Sequence, residues 1–391
     1  MGNLDKTAQA GLREVSGLFF RLGLTGFGGP AAVTAMIEDE VVNGRKWVDR
    51  QTFLDLVGAT NLIPGPNSTE LAMHIGHLLC GWKGLVLAGF GFITPAILLS
   101  AVFGWFYVEY GQIPAVQPLL SGIQASVIAL IVMMALRLTR TGLKTWKLWL
   151  ICLLSASASV AGLREIPTLF GAALLGTVLL LMAKPLSISR LKAIMPMLVP
   201  AVALPVTSAV ADAHAQVSFT ELGLFFLKIG SILYGSGYVL LAFLQDALVN
   251  ERGWLSPQQL VDAIAVGQFT PGPLLSTASF IGYVLLGFPG AMLAGFAIFL
   301  PSFVFSAFIK PIIRILRGRE WTGAFLDAVN ASSLGLILAV GGRLGFSAIT
   351  GWETVLISVL AAVAYIRFRL NAAFLVIGGG LLGFALSALG G

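Results

Sequence analysis

Apolar runs long enough to cross a bilayer recur along nearly the whole chain, at about 85–108, 118–136, 148–163, 166–183, 194–211, 287–309, 325–342, 352–366 and 370–389. A hydrocarbon core of ~30 Å takes about 20 helical residues. Lipid offers no partner to open backbone groups, so such segments have to be helices. Composition agrees: with 57% hydrophobic and 11% charged residues, too few polar side chains remain to coat a water-soluble globule of 391 residues. The expected fold class is an all-α polytopic membrane protein.

Other signals mainly exclude. The formal charge of +6 does not point to nucleic acid, because the basic residues fall in short loops between apolar runs. Cys80 and Cys152 lie in apolar surroundings and read as packing residues. The opening "MGNLDKTAQAGLREVS" has no apolar core before a cleavage site and does not read as a secretory signal. No G-x-x-x-x-G-K-[ST] loop occurs, and His74, His77 and His214 join no metal-spaced cluster. No nucleophile, base and orienting acid can be assembled, and neither an enzyme nor a cofactor is expected; the competing class is a membrane-embedded enzyme or an assembly subunit, in which buried carboxylates and a histidine would be catalytic or structural.

The chain repeats itself. A shift of 207 residues lays "FFRLGLTGFGG" (19–29) over "FLKIGSILYGS" (226–236), "VVNGRKWVDRQTFLD" (41–55) over "LVNERGWLSPQQLVD" (248–262), and "IPGP" (63–66) over "TPGP" (270–273). After one deletion, "GHLLCGWKGLVLAGFGFITP" (76–95) covers "GYVLLGFPGAMLAGFAIFLP" (282–301). Apolar bias alone would not align Asp39, Asn43, Arg45, Trp47, Gln51 and Asp55 with Asp246, Asn250, Arg252, Trp254, Gln258 and Asp262. The expected organisation is a first repeat at 1–192, a connecting transmembrane segment at 193–217 and a second repeat at 218–391.

Basic loops orient the halves, since Lys and Arg concentrate on the cytoplasmic side. Arg137, Arg140, Lys144 and Lys147, then Lys184, Arg190 and Lys192, then Lys310, Arg314, Arg317 and Arg319, then Arg367 and Arg369 fill alternate loops. The opposite loops hold Arg164 and Arg343. This requires that 11–43, 53–80, 218–250 and 260–286 each enter and return on one side, and that the crossing at 194–211 turns the second half over. The halves are thus expected to form an inverted repeat with broken or re-entrant helices; a parallel repeat is the alternative if the first segment of each half crosses fully.

Inverted repeats with interrupted helices characterise many secondary transporters, whose substrates bind near the midplane where half-helices meet. Pro64 and Pro66 stop the helix at "IPGP", and a new one is expected to begin near Asn67 or Ser68, capped by Asn67, Ser68 or Thr69. Its unpaired N–H groups and dipole make an anion cradle. The matching cradle is Gly272, Leu274, Leu275 and Ser276. "GFGGP" (26–30) and "YGSG" (234–237) supply a second pair of breaks, each preceded by a cation, Arg21 or Lys228. These cations are candidate ligands of a doubly charged anion, or else snorkel to the interface. Arg45 and Arg252, beside Trp47 and Trp254, read as interfacial anchors. Glu70 and His74, four apart on one helix face, have no ionisable match in the second half and are candidates for proton coupling or a structural pair. Asp55 and Asp262 are further candidates, with capping of the broken hairpin as the structural alternative.

The segments "FGGPAAV" (27–33), "LIPGPNSTELAMHIG" (62–76) and "GFGFITPA" (89–96), repeated more loosely as "YGSGYVLL" (234–241), "FTPGPLLS" (269–276) and "GFAIFLPS" (295–302), resemble the chromate ion transporter family in its long, two-domain form. The resemblance covers nearly the full chain. It implies export of chromate across the bacterial inner membrane, with sulfate as the similar tetrahedral competitor. It carries over Gly28, Gly29, Pro30, Pro64, Gly65, Pro66, Asn67 and Glu70, and opposite them Gly235, Pro271, Gly272 and Pro273. The second half departs from the first at Ser236, Gly237 and Leu274, so the two cradles need not play equal parts. The expected partners are chromate or sulfate and the lipid bilayer, with no nucleic acid; short forms of the family work in pairs, and a homodimer of this chain stays open.

Overall fold

A computed structural model of the protein describes residues 10–27, 29–182, 217–234, 239–309, 320–368 and 370–390. Gly28, Gly235, the crossing expected at 194–211 and the basic residues Lys184, Arg190, Lys192, Lys310, Arg314, Arg317, Arg319 and Arg369 lie outside the described residues. The first repeat contributes α1 (Leu12–Thr25), α2 (Gly29–Glu38) with a π-helical turn Asp39–Gly44, α3 (Arg50–Thr60), α4 (Asn67–Tyr110), α5 (Gln117–Gly142), α6 (Trp146–Val160) and α7 (Glu165–Leu181). The second contributes α8 (Phe219–Ile232), α9 (Val239–Leu244) with a π-helical turn Gln245–Glu251, α10 (Pro257–Phe269), α11 (Thr277–Ala307), α12 (Glu320–Ala348), α13 (Trp352–Phe368) and α14 (Ala372–Gly390). Four of these runs, 67–110, 117–142, 274–307 and 321–348, are long and apolar enough to cross a membrane, and they form two matched pairs.

Local chemistry sets the starts of α3 and α10. Asp49 accepts from the Thr52 backbone N–H at 3.0 Å and from its hydroxyl at 2.6 Å, bonds that hold the exposed carboxyl below its ordinary pKa. The matched Ser256 accepts from the Gln259 N–H at 3.1 Å and begins a capping box. Asp55 and Asp262, expected as caps in the structural reading, instead lie inside these helices.

As a straight rod, α4 would be about 66 Å long, twice the hydrocarbon core. It folds back instead at Cys80 and Gly81, where φ 62° and ψ −150° reverse the chain; Leu286 and Gly287 do the same in α11, with φ 66° and ψ −160° at the glycine. Small residues let the arms touch: a Cβ on Gly76 would lie 2.8 Å from the Gly84 carbonyl carbon and 2.7 Å from the Ala88 Cβ, and one on Gly282 would lie 2.6 Å from the Gly290 carbonyl carbon. The span expected at 85–108 is therefore the second arm of a hairpin, Trp82–Tyr110, whose first arm is Asn67–Leu79.

The α1–α2 unit is also re-entrant. Arg21 and Glu40 form an ion pair at 2.5 Å. A continuous helix would place them about 28 Å apart, beyond any side-chain reach, so the chain returns at the Gly26 break. In the second half, Phe225 and Trp254 meet with ring centroids 5.9 Å apart, across the equivalent return. The Cys80 thiol reaches the Ala10 carbonyl at 3.1 Å, which puts the hairpin turn on the side where α1 begins. Residues 50–80 thus enter and leave on that same side, and α3, about 16 Å long, carries the chain to mid-bilayer.

Pairing of the halves decides between inverted and parallel repeats. Gly89 packs against Phe303, and its equivalent Gly295 packs against Ile97, the equivalent of Phe303. The second arms of α4 and α11 therefore run antiparallel about a pseudo-two-fold axis perpendicular to them. Since both arms cross the membrane, the axis lies in its plane, and the repeat is inverted. The halves also exchange partners, α5 packing on α13 and α14 while α12 packs on α6 and α7. Loops carrying Arg137, Arg140, Lys144 and Lys147 share the side of Cys80, the cytoplasmic side by charge bias. On the other side Arg164 pairs with Glu251 at 2.9 Å and Arg343 with Glu165 at 3.8 Å.

The glycine turns separate two costs. A Cβ on Gly81 or Gly287 meets nothing within 4 Å, so alanine there should cost only the backbone penalty of a conformation that is essentially glycine's own, about 1–3 kcal/mol. Gly76→Ala, which presses on Gly84, should lower the unfolding temperature in detergent further, and Gly171→Ala, in open space on α7, should leave it unchanged or raised.

Candidate functional site

Each half brings two helix breaks to the middle of the bilayer, and the halves join them crosswise. The Gly65 N–H donates to the Leu233 carbonyl at 2.8 Å, and the Gly272 N–H donates to the Gly26 carbonyl at 2.9 Å. These are one bond made twice, because 65 and 26 in the first half correspond to 272 and 233 in the second. "IPGP" of each repeat therefore touches the glycine-rich break of the other. Gly65 and Gly272 have φ of 140° and 96°, conformations that side chains with a Cβ resist.

At the first break, α4 starts at Asn67 with Pro66 in the N-cap position and no side-chain cap. The cap expected from Asn67, Ser68 or Thr69 is not made. The Asn67 amide donates to Asn61 at 2.7 Å, spanning the break, while Ser68 and Thr69 are buried. The Thr69 and Glu70 N–H groups fold back onto the Pro66 carbonyl at 2.9 and 3.1 Å. At the second break, Leu274–Ser276 form a 3-10 turn, and the α-helix begins only at Thr277. The Ser276 N–H is spent on the Pro273 carbonyl at 3.0 Å, so that cradle is tighter than the sequence suggests.

Polar atoms collect here at no exposure. Thr69, Glu70 and Ser302 are 0% exposed and Ser276 1% exposed, and the side-chain oxygens of Thr69 and Ser276 have no hydrogen-bond partner in the structure. A Cβ built on Gly65 would land on both the Glu70 carboxyl and the Ser302 hydroxyl. The matched Gly272 faces only the Ala96 Cβ, 2.9 Å from such an atom, and the Gly23 carbonyl at 3.3 Å. The two cradles are equal in backbone and unequal in chemistry. His74, one turn beyond Glu70, is buried and its Nε2 has no partner.

The remaining sequence candidates lie elsewhere. Arg21 is 55% exposed and committed to Glu40, and Lys228 is exposed on α8, so neither cation enters the buried cluster. Glu40 corresponds to Ala247, which leaves Lys228 without the matching acid. Arg45 and Arg252 stack over Trp47 and Trp254 at 5.1 and 5.2 Å, as interfacial anchors do. Asp55 lies on the exposed face of α3. Asp262 is 4% exposed and accepts from the Tyr107 hydroxyl at 2.9 Å and the Gln124 amide at 2.8 Å. Pro64, Pro66, Pro271 and Pro273 are buried at the breaks, and Gly29 opens α2. Sequence reasoning placed Gly26 in a break and missed Ser302 and Leu233 as parts of the site. Ser302 had a readable signal, because it follows the matched Pro301 where Ala96 follows Pro95.

The chromate transporter family matches residues 13–213 and again 220–384. The chain belongs to that family. It is 31% identical over 95% of its length to the chromate transport protein of Cupriavidus metallidurans, covering 92% of that protein. It is 30% identical over 90% of its length to the probable chromate transport protein of Synechococcus elongatus, covering 89% of it. It is 31% identical over 94% of its length to the chromate transport protein of Pseudomonas aeruginosa, covering 90% of it. No solved structure matches the chain. This chromate transporter family member is a multi-pass inner-membrane protein, and each family match covers one of its two repeats, the first match running on through residue 213.

Gly65→Ala and Gly272→Ala should each abolish transport by reconstituted vesicles, because both meet a left-handed backbone and a filled neighbour. Ala96→Gly in the Gly272→Ala protein removes the 2.9 Å contact and should return part of the lost stability; the positive-φ backbone penalty of about 1–3 kcal/mol would remain.

Proposed function

We propose that the protein is a secondary transporter, not an enzyme, that exports chromate from the cytoplasm through a midplane site formed by the four helix breaks. The observation that carries this reading is the reciprocal bonding of Gly65 to Leu233 and Gly272 to Gly26, which gathers two helix N-termini at one depth. Helix N-termini attract anions. A tetrahedral dianion such as chromate suits a cradle of N–H and hydroxyl donors, and sulfate, with the same shape and charge, competes for it.

The difference between the halves supplies the movement. Helix α10 is packed against α5, α12 and α14, with Val261 at 0% exposure and Asp262 held by Tyr107 and Gln124. Helix α3 is its inverted equivalent, and there Leu54, the counterpart of Val261, is 50% exposed. In an inverted repeat, exchanging these two arrangements between halves exchanges which side is open. Because α3 enters from the cytoplasmic side, the present arrangement is the loading state, closed outside by the α10 contacts. An inside-negative potential then favours exit of the anion by ~2.3 kcal/mol per charge at 100 mV.

Sealed vesicles holding the purified protein should accumulate labelled chromate without changing it chemically, and unlabelled sulfate should reduce the uptake. In a protein lacking Cys80 and Cys152, the pair Asp262→Cys and Gln124→Cys should close on oxidation and stop flux, and a reductant should restore it. Full flux through the oxidised, cross-linked protein would sink the rocking mechanism, and absent flux in the wild type would sink the function.

A further inference from the structure

Four groups read from the sequence as coupling candidates, and the geometry separates them. Asp55 lies at the exposed surface of α3, and Asp262 is engaged by Tyr107 and Gln124. His74 is an imidazole, which can stay neutral without conflict beside an anion. Glu70 differs from all three, because it stands inside the cradle itself.

Glu70 occupies the first turn of α4, at 0% exposure, with its carboxyl over Gly65 where the breaks of the two halves bond. Facing it are the Ser302 hydroxyl from α11 and the Tyr234 phenol from the break after α8, with His74 one turn along its own helix. No Lys or Arg among the described residues pairs with it. The residue matched to Glu70 in the second repeat is Thr277, a neutral side chain whose hydroxyl donates to the Leu274 carbonyl at 2.8 Å. Glu70 does not cap its helix, since neither carboxyl oxygen takes a backbone N–H. The helix end that attracts an oxyanion thus carries a second acidic group whose charge would repel it in a medium without water.

We propose that Glu70 and the oxyanion bind one proton together, so that the transported unit is the dianion plus a proton held on the Glu70 carboxyl. The inference rests on the reading that the anion binds at the breaks. The step is a protonation, carboxylate plus a proton from the medium giving the carboxylic acid, reversed when the anion leaves. Ser302 supplies the neighbouring hydroxyl to either form, accepting from the acid or donating to the carboxylate. Binding linkage then runs both ways, with the anion drawing the proton and the proton drawing the anion. The charge moved per cycle falls from that of the dianion to half of it.

The test is proton uptake on anion binding. Purified wild-type protein in weakly buffered detergent, with a pH-indicator dye, is titrated with chromate in the alkaline range where chromate carries no proton of its own. Uptake of about one proton per bound anion is expected, with chromate affinity falling up to about tenfold per pH unit as Glu70 loses its proton. Glu70→Gln should bind chromate with no uptake and a flat pH profile, His74→Gln should keep both, and Ser302→Ala should displace the profile without abolishing uptake. Chromate binding to the wild type with no proton uptake overturns the inference and leaves the transport reading standing. A Glu70→Gln protein that keeps the wild-type pH slope overturns it as well. No chromate binding by the wild type overturns both.

Discussion

Two backbone hydrogen bonds hold the centre of this protein together. A helix broken at mid-bilayer leaves N–H and C=O groups where water is scarce, and each unsatisfied group costs several kcal/mol. Bonds from Gly65 to Leu233 and from Gly272 to Gly26 meet part of that cost by pairing the break of one half with the break of the other. Neither half can do this alone. The proline breaks therefore make the halves mutually dependent, and the exchange of α5 and α12 between them extends the dependence to the outer helices.

Much of this was legible because membrane chains have few alternatives. Apolar length gave the helices, and the 207-residue repeat with its alternating basic loops gave the inversion. The proline and glycine spacing gave the four breaks. What the sequence hid is long-range. That Gly65 would meet Leu233 rather than its own repeat's Gly26 is a property of the two-fold axis, which no local pattern encodes. Arg21 was misplaced for a related reason: its partner Glu40 lies 19 residues on, and only the return at Gly26 brings them together. The missing cap at Asn67 has a local reason, since Pro66, which has no side-chain acceptor, holds the N-cap position and Asn67 is already the first helical residue. The hairpin corner at Gly81 was hidden inside a continuous apolar run, where one left-handed glycine among many small residues gives no distinctive signal.

Surface electrostatics contributes little to holding the fold. The ion pairs Arg21–Glu40, Arg50–Glu38 and Arg164–Glu251 are partly exposed, and pairs of that kind are worth ~0–1 kcal/mol. Close approach does more. Gly23 rests on the Phe92 backbone and Gly230 on the Ile298 backbone, the same contact in both halves, so that α1 and α8 lie directly on the crossing arms behind the breaks. Side chains at these two positions would push the half-helices outward and pull the breaks apart, which is why the repeat keeps glycine at both.

Near-symmetry has an energetic consequence for transport. If the outward state is the present arrangement with the halves exchanged, most contacts are remade in kind, and the two end states stay within reach of each other. Chemical differences between the repeats would bias that balance wherever they sit in a contact that is made in one state and broken in the other, as with Asp262 against Tyr107 and Gln124. Differences close to the axis behave otherwise. Glu70 and Ser302 lie at the joined breaks close to the axis, so on the proposed reading the unequal pairs Glu70/Thr277 and Ser302/Ala96 change what is bound without favouring either side. On the proposed reading, placing an acid at the axis while keeping the rest of the repeat alike lets an inverted repeat add coupling chemistry without losing its ability to turn over.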